Sequence, residues 1–133
     1  MRARGATVRA EGMAAVIEPM IAPWFTSETV AGRPDLLDRI RKTLLAGDPK
    51  LHAAMWDFIA DFEALDALAS VACPTLVIVG DRDETTPVAA AVTLPEAVPG
   101  ADLRVVANAA HLAALERPEI VNGHLLSFLA TIP

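Results

Sequence analysis

A short apolar run that ends in an acidic turn constrains the fold of this chain more than any other segment. Residues 75–79 are apolar or β-branched without alternation, which is typical of a strand buried on both faces of a parallel sheet. Gly80 ends the run, and the turn after it carries Asp81 and Asp83. Because open α/β sheets place their sites at the carboxyl ends of strands, this turn is a candidate site.

A second apolar strand is predicted over residues 103–106, and the segment after it reaches His111. Between the two strands, Thr86 and Pro87 carry the signal for the start of a helix, which Pro95 should shorten or kink. A carboxylate and an imidazole are thus predicted to emerge from two neighbouring strand ends.

Helices are predicted on either side of these strands. Apolar residues recur at helical spacing in three segments before the first strand and in one after the second. They are Met13, Ile17, Met20 and Ile21; Leu36, Leu37, Ile40, Leu44 and Leu45; Leu51, Met55, Phe58, Ile59 and Phe62; and Val121, Leu125, Phe128 and Leu129. The fold class is therefore α/β, with a helical segment over residues 1–63 followed by strand, helix, strand and helix over residues 64–133.

Composition excludes several classes of function. The net charge of −6 argues against a nucleic-acid-binding surface. No apolar run approaches the roughly 20 residues that a membrane-spanning helix needs, and the first residues do not resemble a signal peptide, so the expected location is the cytoplasm. The single cysteine, Cys73, precedes the first strand and is expected in the core. The three histidines and 17 acidic residues show no metal-ligand spacing, so we expect no metal.

Several motifs together resemble the carboxyl-terminal half of an α/β-hydrolase, with the helical first part resembling the tail of that fold's cap. They are the run 74–83, Thr86-Pro87, Pro99-Gly100-Ala101, Ala110-His111 and Glu116-Arg117-Pro118. Within that superfamily, three further segments are similar to the 3-oxoadipate enol-lactonases of bacterial aromatic catabolism, on the β-ketoadipate pathway. These are residues 8–13, Trp24-Phe25-Thr26 and the turn 45–49.

The resemblance implies a catalytic role for two of the strand-end residues. Asp83 corresponds to the acid that orients the imidazole, and His111 corresponds to the general base that activates a serine. Asp81 is a competing acid, but it directly follows Gly80 and is more suited to bonding backbone groups in the turn. Trp24 is a candidate substrate-binding residue, with core packing as the alternative. The residue before this tryptophan is commonly basic in the lactonases, whereas here it is Pro23.

The serine that this mechanism requires is not in the sequence. No Gly-x-Ser-x-Gly motif occurs, and none of Ser27, Ser70 and Ser127 has the glycines of a nucleophile elbow. In the family's order the serine and the oxyanion hole precede the acid and the histidine. We therefore expect the chain to be a fragment or subunit that is inactive alone. It would pair with an amino-terminal hydrolase half, or self-associate through its exposed sheet edge.

The function implied by the resemblance is hydrolysis of a small anionic lactone or ester, with 3-oxoadipate enol-lactone as the favoured substrate and no cofactor. Two alternatives stay open. One is another α/β-hydrolase chemistry, such as that of a carboxylesterase, a perhydrolase or a carbon–carbon bond hydrolase. The other is a noncatalytic oligomeric interaction module.

Overall fold

The computed structural model describes residues 2–132 and contains mainly short helices with two strands. Three-residue and six-residue 3₁₀ helices cover Ala22–Trp24 and Leu65–Ser70. The α-helices are α1 (Arg2–Glu11), α2 (Ala14–Ile21), α3 (Ser27–Gly32), α4 (Pro34–Leu45), α5 (Pro49–Asp61), α6 (Val88–Ala91), α7 (Thr93–Ala97), α8 (Ala113–Glu116) and α9 (Pro118–Leu129); the strands are β1 (Leu76–Gly80) and β2 (Asp102–Val106).

The described chain divides into two compact units. One unit holds Val30–Glu63 and the described residues before Pro23. The other holds Pro23–Thr29 and the described residues from Ala64 onward. The segment Pro23–Thr29, which the sequence placed with the helical part, therefore packs in the unit that contains the strands.

In the second unit, β1 and β2 form a two-stranded parallel sheet in which Leu76 faces Asp102 and Gly80 faces Val106. A small hydrophobic core lies beside the sheet. It consists of Val106, Ala109, Ala113 and Val121, packed with Ile78. Within the described residues only the end of β1 is fully buried, at Val79 and Gly80. The expected burial of β1 on both faces is thus incomplete in this chain.

Helix boundaries in the second unit follow the proline signals. Helix α9 has Pro118 as its first residue, where the missing N–H removes no intrahelical bond. The helix expected after Pro87 is broken into α6 and α7, with Pro95 inside the second piece. Cys73 is exposed rather than in the core, because it lies three residues before β1 begins, in the connecting segment.

In the first unit, α1, α2, α4 and α5 pack around a helical core. Its buried side chains come from α1, α2, α4 and the turn before α2, and include Val8, Met13, Ile17, Met20, Ile21, Leu36 and Leu37. Helix α4 starts at Pro34, and α5 starts after Asp48, whose carboxylate accepts a hydrogen bond from Lys50 N at 2.8 Å. These starts match the Pro and Asp-Pro signals of the sequence.

The side of α5 that packs is not its apolar side. Ala53 is completely buried, and Asp57 forms an ion pair with Arg9 of α1 at 3.0 Å. The five apolar residues with helical spacing are instead exposed, Phe58 to 66%. This α5 apolar face consists of Leu51, Met55, Phe58, Ile59 and Phe62.

The prediction of an α/β fold is confirmed, as a helix-rich chain with a small parallel sheet. Among the described residues, no helix is long and apolar enough to span a membrane.

Candidate functional site

The loops after β1 and β2 run side by side beyond the sheet. Asp81 N donates to the carbonyl of Val106 at 3.0 Å, and Arg82 N donates to the carbonyl of Ala109 at 2.9 Å. A side chain at Gly80 would overlap the carbonyl oxygens of Ala109 and Ala110, so only glycine allows this approach. The close contact brings the segment that precedes His111 to the start of the acidic turn.

Asp83 is held in this turn by hydrogen bonds on both of its carboxylate oxygens. Oδ1 accepts from the backbone N–H groups of Thr85 and Thr86, each at 2.8 Å. Oδ2 accepts from the Thr86 hydroxyl at 2.8 Å and lies 2.9 Å from His111 Nδ1. The turn therefore fixes the carboxylate in a single orientation towards the imidazole.

The electrostatics of this site determine which nitrogen of His111 carries the proton. Asp83 is only 7% exposed, and burial raises the pKa of its carboxyl; the bonds from Thr86 N, His111, the Thr86 hydroxyl and Thr85 N outweigh burial and lower that pKa overall. An ionised carboxylate only accepts hydrogen bonds, so Nδ1 of His111 is the donor. This tautomer leaves the lone pair on Nε2, which is the arrangement a general base requires.

His111 and Trp24 are also brought together. Their ring centroids are 6.3 Å apart with a tilt of 35°, and both side chains are half-buried. Leu112 N donates to the Trp24 carbonyl at 3.0 Å, so the backbones of the two segments are joined as well. The structure thus places all three predicted site residues, Asp83, His111 and Trp24, in one neighbourhood of the second unit.

Asp81 bonds a backbone group, as expected from its place directly after Gly80. Its Oδ1 accepts a hydrogen bond from Ala109 N at 3.3 Å, and its side chain is exposed. The carboxylate that meets His111 is that of Asp83, so the geometry separates the two candidate acids.

Sequence reasoning missed a polar cluster around Arg82. The guanidinium donates to Glu28 Oε1 at 2.9 Å and to Asn108 Oδ1 at 2.6 Å. The hydrogen bond and charge of Arg82, with hydrogen bonds from the backbone N–H of Glu28 and the Ser27 hydroxyl, lower the pKa of Glu28 to about 2. Asn108 has a φ of 54°, a left-handed conformation that asparagine tolerates better than most residues. An asparagine two residues after the end of β2 was the one available sequence signal.

A cavity of about 370 Å³ adjoins the pair of Asp83 and His111. Its other lining residues come mostly from β1, α6 and α7 and are largely apolar, among them Val77, Ile78, Ala91 and Leu94. Such a cavity suits an apolar or weakly polar group next to an acid–base pair. In residues 2–132, no group of three or more His, Cys, Asp or Glu side chains could hold a metal ion.

Comparison with known proteins finds two enol-lactonases that are similar to this chain. The chain is 26% identical over 121 residues to 3-oxoadipate enol-lactonase 2 of Acinetobacter baylyi, and the match covers 91% of this chain but 45% of that protein. A second relative, 3-oxoadipate enol-lactonase 1 of the same organism, is 25% identical over 88% of this chain and 44% of its own length. No protein-family model matches the chain.

Solved structures give the same result. The enol-lactonase from Burkholderia xenovorans LB400 superposes with a TM-score of 0.92 and 26% identity, over 96% of this chain and 48% of that one. A thermophilic esterase from Thermogutta terrifontis superposes with a TM-score of 0.88 and 29% identity, over 97% and 48%. The chain therefore spans about half the length of the relatives it matches. The resemblance identified in the sequence is confirmed.

Proposed function

We propose, from the partial α/β-hydrolase fold and the enol-lactonase and esterase relatives of this chain, that it is the carboxyl-terminal half of a serine hydrolase acting on a small lactone or ester in the cytoplasm. One observation carries the proposal: the buried Asp83 carboxylate lies 2.9 Å from His111 Nδ1 at the ends of adjacent parallel strands. This is the acid–histidine part of a catalytic triad.

In the proposed mechanism, His111 Nε2 takes the proton of a serine hydroxyl as the serine oxygen attacks the substrate carbonyl. The proton then passes to the leaving oxygen, and an acyl-enzyme remains. His111 next deprotonates water, which hydrolyses the acyl-enzyme and regenerates the serine. Asp83 keeps the proton on Nδ1 and stabilises the imidazolium that forms in both steps.

The substrate that we favour is 3-oxoadipate enol-lactone, because the curated relatives are 3-oxoadipate enol-lactonases. A neutral carboxylic ester is the second candidate. It is supported by the esterase neighbour at 29% identity and by Pro23, which stands where a basic residue would face the lactone's carboxylate. The ratio of kcat/KM for the enol-lactone to that for a neutral short-chain ester distinguishes the two.

The serine and the oxyanion hole are proposed to come from an amino-terminal hydrolase half. Two exposed apolar surfaces and one unpaired strand edge support such a partner among the described residues: the α5 apolar face, the side chains of Leu126 and Leu129 in α9, and the edge of β1 that faces away from β2. Contiguous apolar surface and an unpaired strand edge favour association. Self-association through the same strand edge is the alternative, and light scattering coupled to size exclusion separates these states.

The decisive experiment is complementation. The chain is co-expressed with the amino-terminal half of the Burkholderia xenovorans enol-lactonase, and hydrolysis of enol-lactone and of p-nitrophenyl acetate is measured. We expect no activity from the chain alone and measurable activity from the complex. His111→Ala should reduce kcat at least about 10³-fold, because the base is lost.

His124→Ala is the matched control, since His124 is a half-buried histidine in α9, away from the acidic turn. It should retain the activity of the complex. A complex in which His111→Ala is as active as His124→Ala would contradict the proposed function.

A further inference from the structure

A second buried carboxylate, Glu116, lies beside the loop that carries His111 and has no part in the proposed proton transfer. It is the last residue of α8 and only 5% exposed. Its Oε1 accepts from the backbone N–H and the hydroxyl of Thr26, each at 2.8 Å. Its Oε2 accepts from the backbone N–H of Ala110 at 2.5 Å. One side chain therefore joins the Thr26 segment, which lies 90 positions before Glu116 in the sequence, to the loop of Ala110.

These two segments carry the functional side chains. Ala110 is the residue before His111, and Thr26 is two residues after Trp24. The link is doubled, because Leu112 N on the other side of His111 donates to the Trp24 carbonyl at 3.0 Å. Both backbone N–H groups that flank His111 are thus bonded, one to Glu116 and one to the Trp24 segment.

The chemistry of the contact requires a carboxylate. Three donors converge on two oxygens, and an ionised carboxylate offers only acceptors. A glutamine would direct its NH₂ group at one of these donors and leave the contact unsatisfied. The Thr26 end is itself fixed, since its hydroxyl lies 3.1 Å from the Thr29 hydroxyl and accepts from Thr29 N at 3.3 Å.

The ionisation of Glu116 agrees with this geometry. Burial raises the pKa of its carboxyl, but the hydrogen bonds, with that from Ala110 N foremost, outweigh burial and hold the pKa below its usual value of 4.5. A buried charge is costly unless it is fully hydrogen-bonded, and here the bonds are present.

We propose that Glu116 is a positioning residue, whose carboxylate joins the Trp24 segment to the His111 loop and so fixes the imidazole against Asp83. The inference rests on the proposed function only in taking His111 as the base. Glu116 does not touch the reacting atoms; it acts through the backbone of Ala110 and through Thr26.

The test is the NMR signal of the His111 Nδ1 proton in the ¹⁵N-labelled full chain, assigned by its disappearance in His111→Ala. A histidine N–H bonded to a carboxylate gives a slowly exchanging, strongly downfield resonance. We expect Glu116→Gln to abolish this signal through exchange and to shift the indole N–H of Trp24. The control is Glu119→Gln, an exposed carboxylate in the first turn of α9, which should change neither signal.

Thr26→Val provides a second variant that keeps the carboxylate and removes one donor. It should broaden the His111 signal without abolishing it. If Glu116→Gln does not fold, this variant tests the positioning role in its place. The inference would be overturned if the His111 and Trp24 signals were unchanged in a folded Glu116→Gln variant. If that variant does not fold, unchanged signals in Thr26→Val would overturn it.

The same measurements separate this inference from the proposed function. A wild-type signal that Glu116→Gln abolishes, in a complex that hydrolyses neither substrate, supports the positioning role and refutes the function. An active complex in which Glu116→Gln leaves the His111 signal unchanged supports the proposed function and refutes the positioning role. A wild-type chain without the signal would overturn the positioning role, because no bond between His111 and Asp83 would exist to be fixed.

Discussion

The loops that follow the two strands and the helix α5 differ in which of their side chains are buried. In the loops and the helix α8 beside them, the charged groups of Asp83 and Glu116 are buried, and each is matched by hydrogen-bond donors from the same unit. In α5, charged residues face α1 while the α5 apolar face is left exposed. The buried charges of this region are satisfied within this chain, whereas the α5 apolar face is left uncovered by the described residues.

The comparison indicates which part of the proposed site is held together by this chain itself. Local hydrogen bonds across short distances are enough to orient an acid and a base. Covering the α5 apolar face requires area that the described residues of this chain do not supply. Substitutions in the two regions should therefore have different consequences.

The largest expected effect is that of Gly80→Ala. The added methyl group would overlap the carbonyl oxygens of Ala109 and Ala110, so the two strand ends must move apart. We expect a loss of about 3 kcal/mol in the free energy of unfolding, measured by urea denaturation.

The matched control is Gly123→Ala in α9, where the new methyl group meets no atom within 4 Å. It should stabilise the chain by about 0.5 to 1 kcal/mol, because alanine favours the helix. Equal unfolding midpoints for the two variants would show that the loops are not in close contact.

The next largest effect is expected for Asp83→Asn, which removes the buried charge that the surrounding hydrogen-bond donors stabilise. We expect a loss of about 2 kcal/mol at neutral pH, because bonds to an ionised group are lost. The folded-state pKa of Asp83 is lowered, so its stabilisation is present above the ordinary value of 3.8 and is lost as pH falls through the lower folded value.

The measurement is the free energy of unfolding from neutral pH down to pH values below 3.8. The difference between wild type and Asp83→Asn should shrink as the pH falls through this range. Glu84→Gln, an exposed neighbour, should follow the wild-type profile. A difference that stays constant down the whole acid range would contradict the lowered pKa of Asp83.

The smallest effect on stability is expected on the α5 apolar face. Phe58→Ser should change the free energy of unfolding of the chain by no more than about 0.5 kcal/mol, since the ring is 66% exposed. Ala53→Leu, on the packed side of the same helix, should cost about 2 kcal/mol by overpacking against α1.

Association with an amino-terminal half should be more sensitive to Phe58→Ser than the stability of the chain is. Phe58→Ser should weaken complementation by an amino-terminal half, as measured by size exclusion with light scattering. Were Phe58→Ser to destabilise the isolated chain as much as Ala53→Leu, the face would be packed within the chain and the contrast with the loops would fail.

Much of the site could be predicted because its signals are local. The apolar run of β1, the acidic turn and the segment before His111 lie in short continuous stretches, and parallel strands bring their carboxyl ends to one edge. The preference for Asp83 over Asp81 followed from the immediate neighbour Gly80. That these residues act in catalysis is still a prediction, as are the domain boundary at residues 63 and 64 and the identity of the partner.

The contact between Thr26 and Glu116 could not be predicted in this way. Both residues stood in motifs that resembled the hydrolases, but the sequence had placed Thr26 in a different segment from the strands. The side of α5 that packs was also hidden, because helical spacing shows that an apolar face exists and not what covers it.

The sequence by itself determined the two strands, the prolines that begin α4, α5 and α9, and the pair of residues at the strand ends, because each depends on neighbours within a few positions. Only the tertiary structure decided that Glu116 joins the Trp24 segment to the His111 loop and that α5 turns Ala53 inward. Those outcomes depend on which backbone groups meet across long separations, where burial requires every donor and acceptor to find a partner.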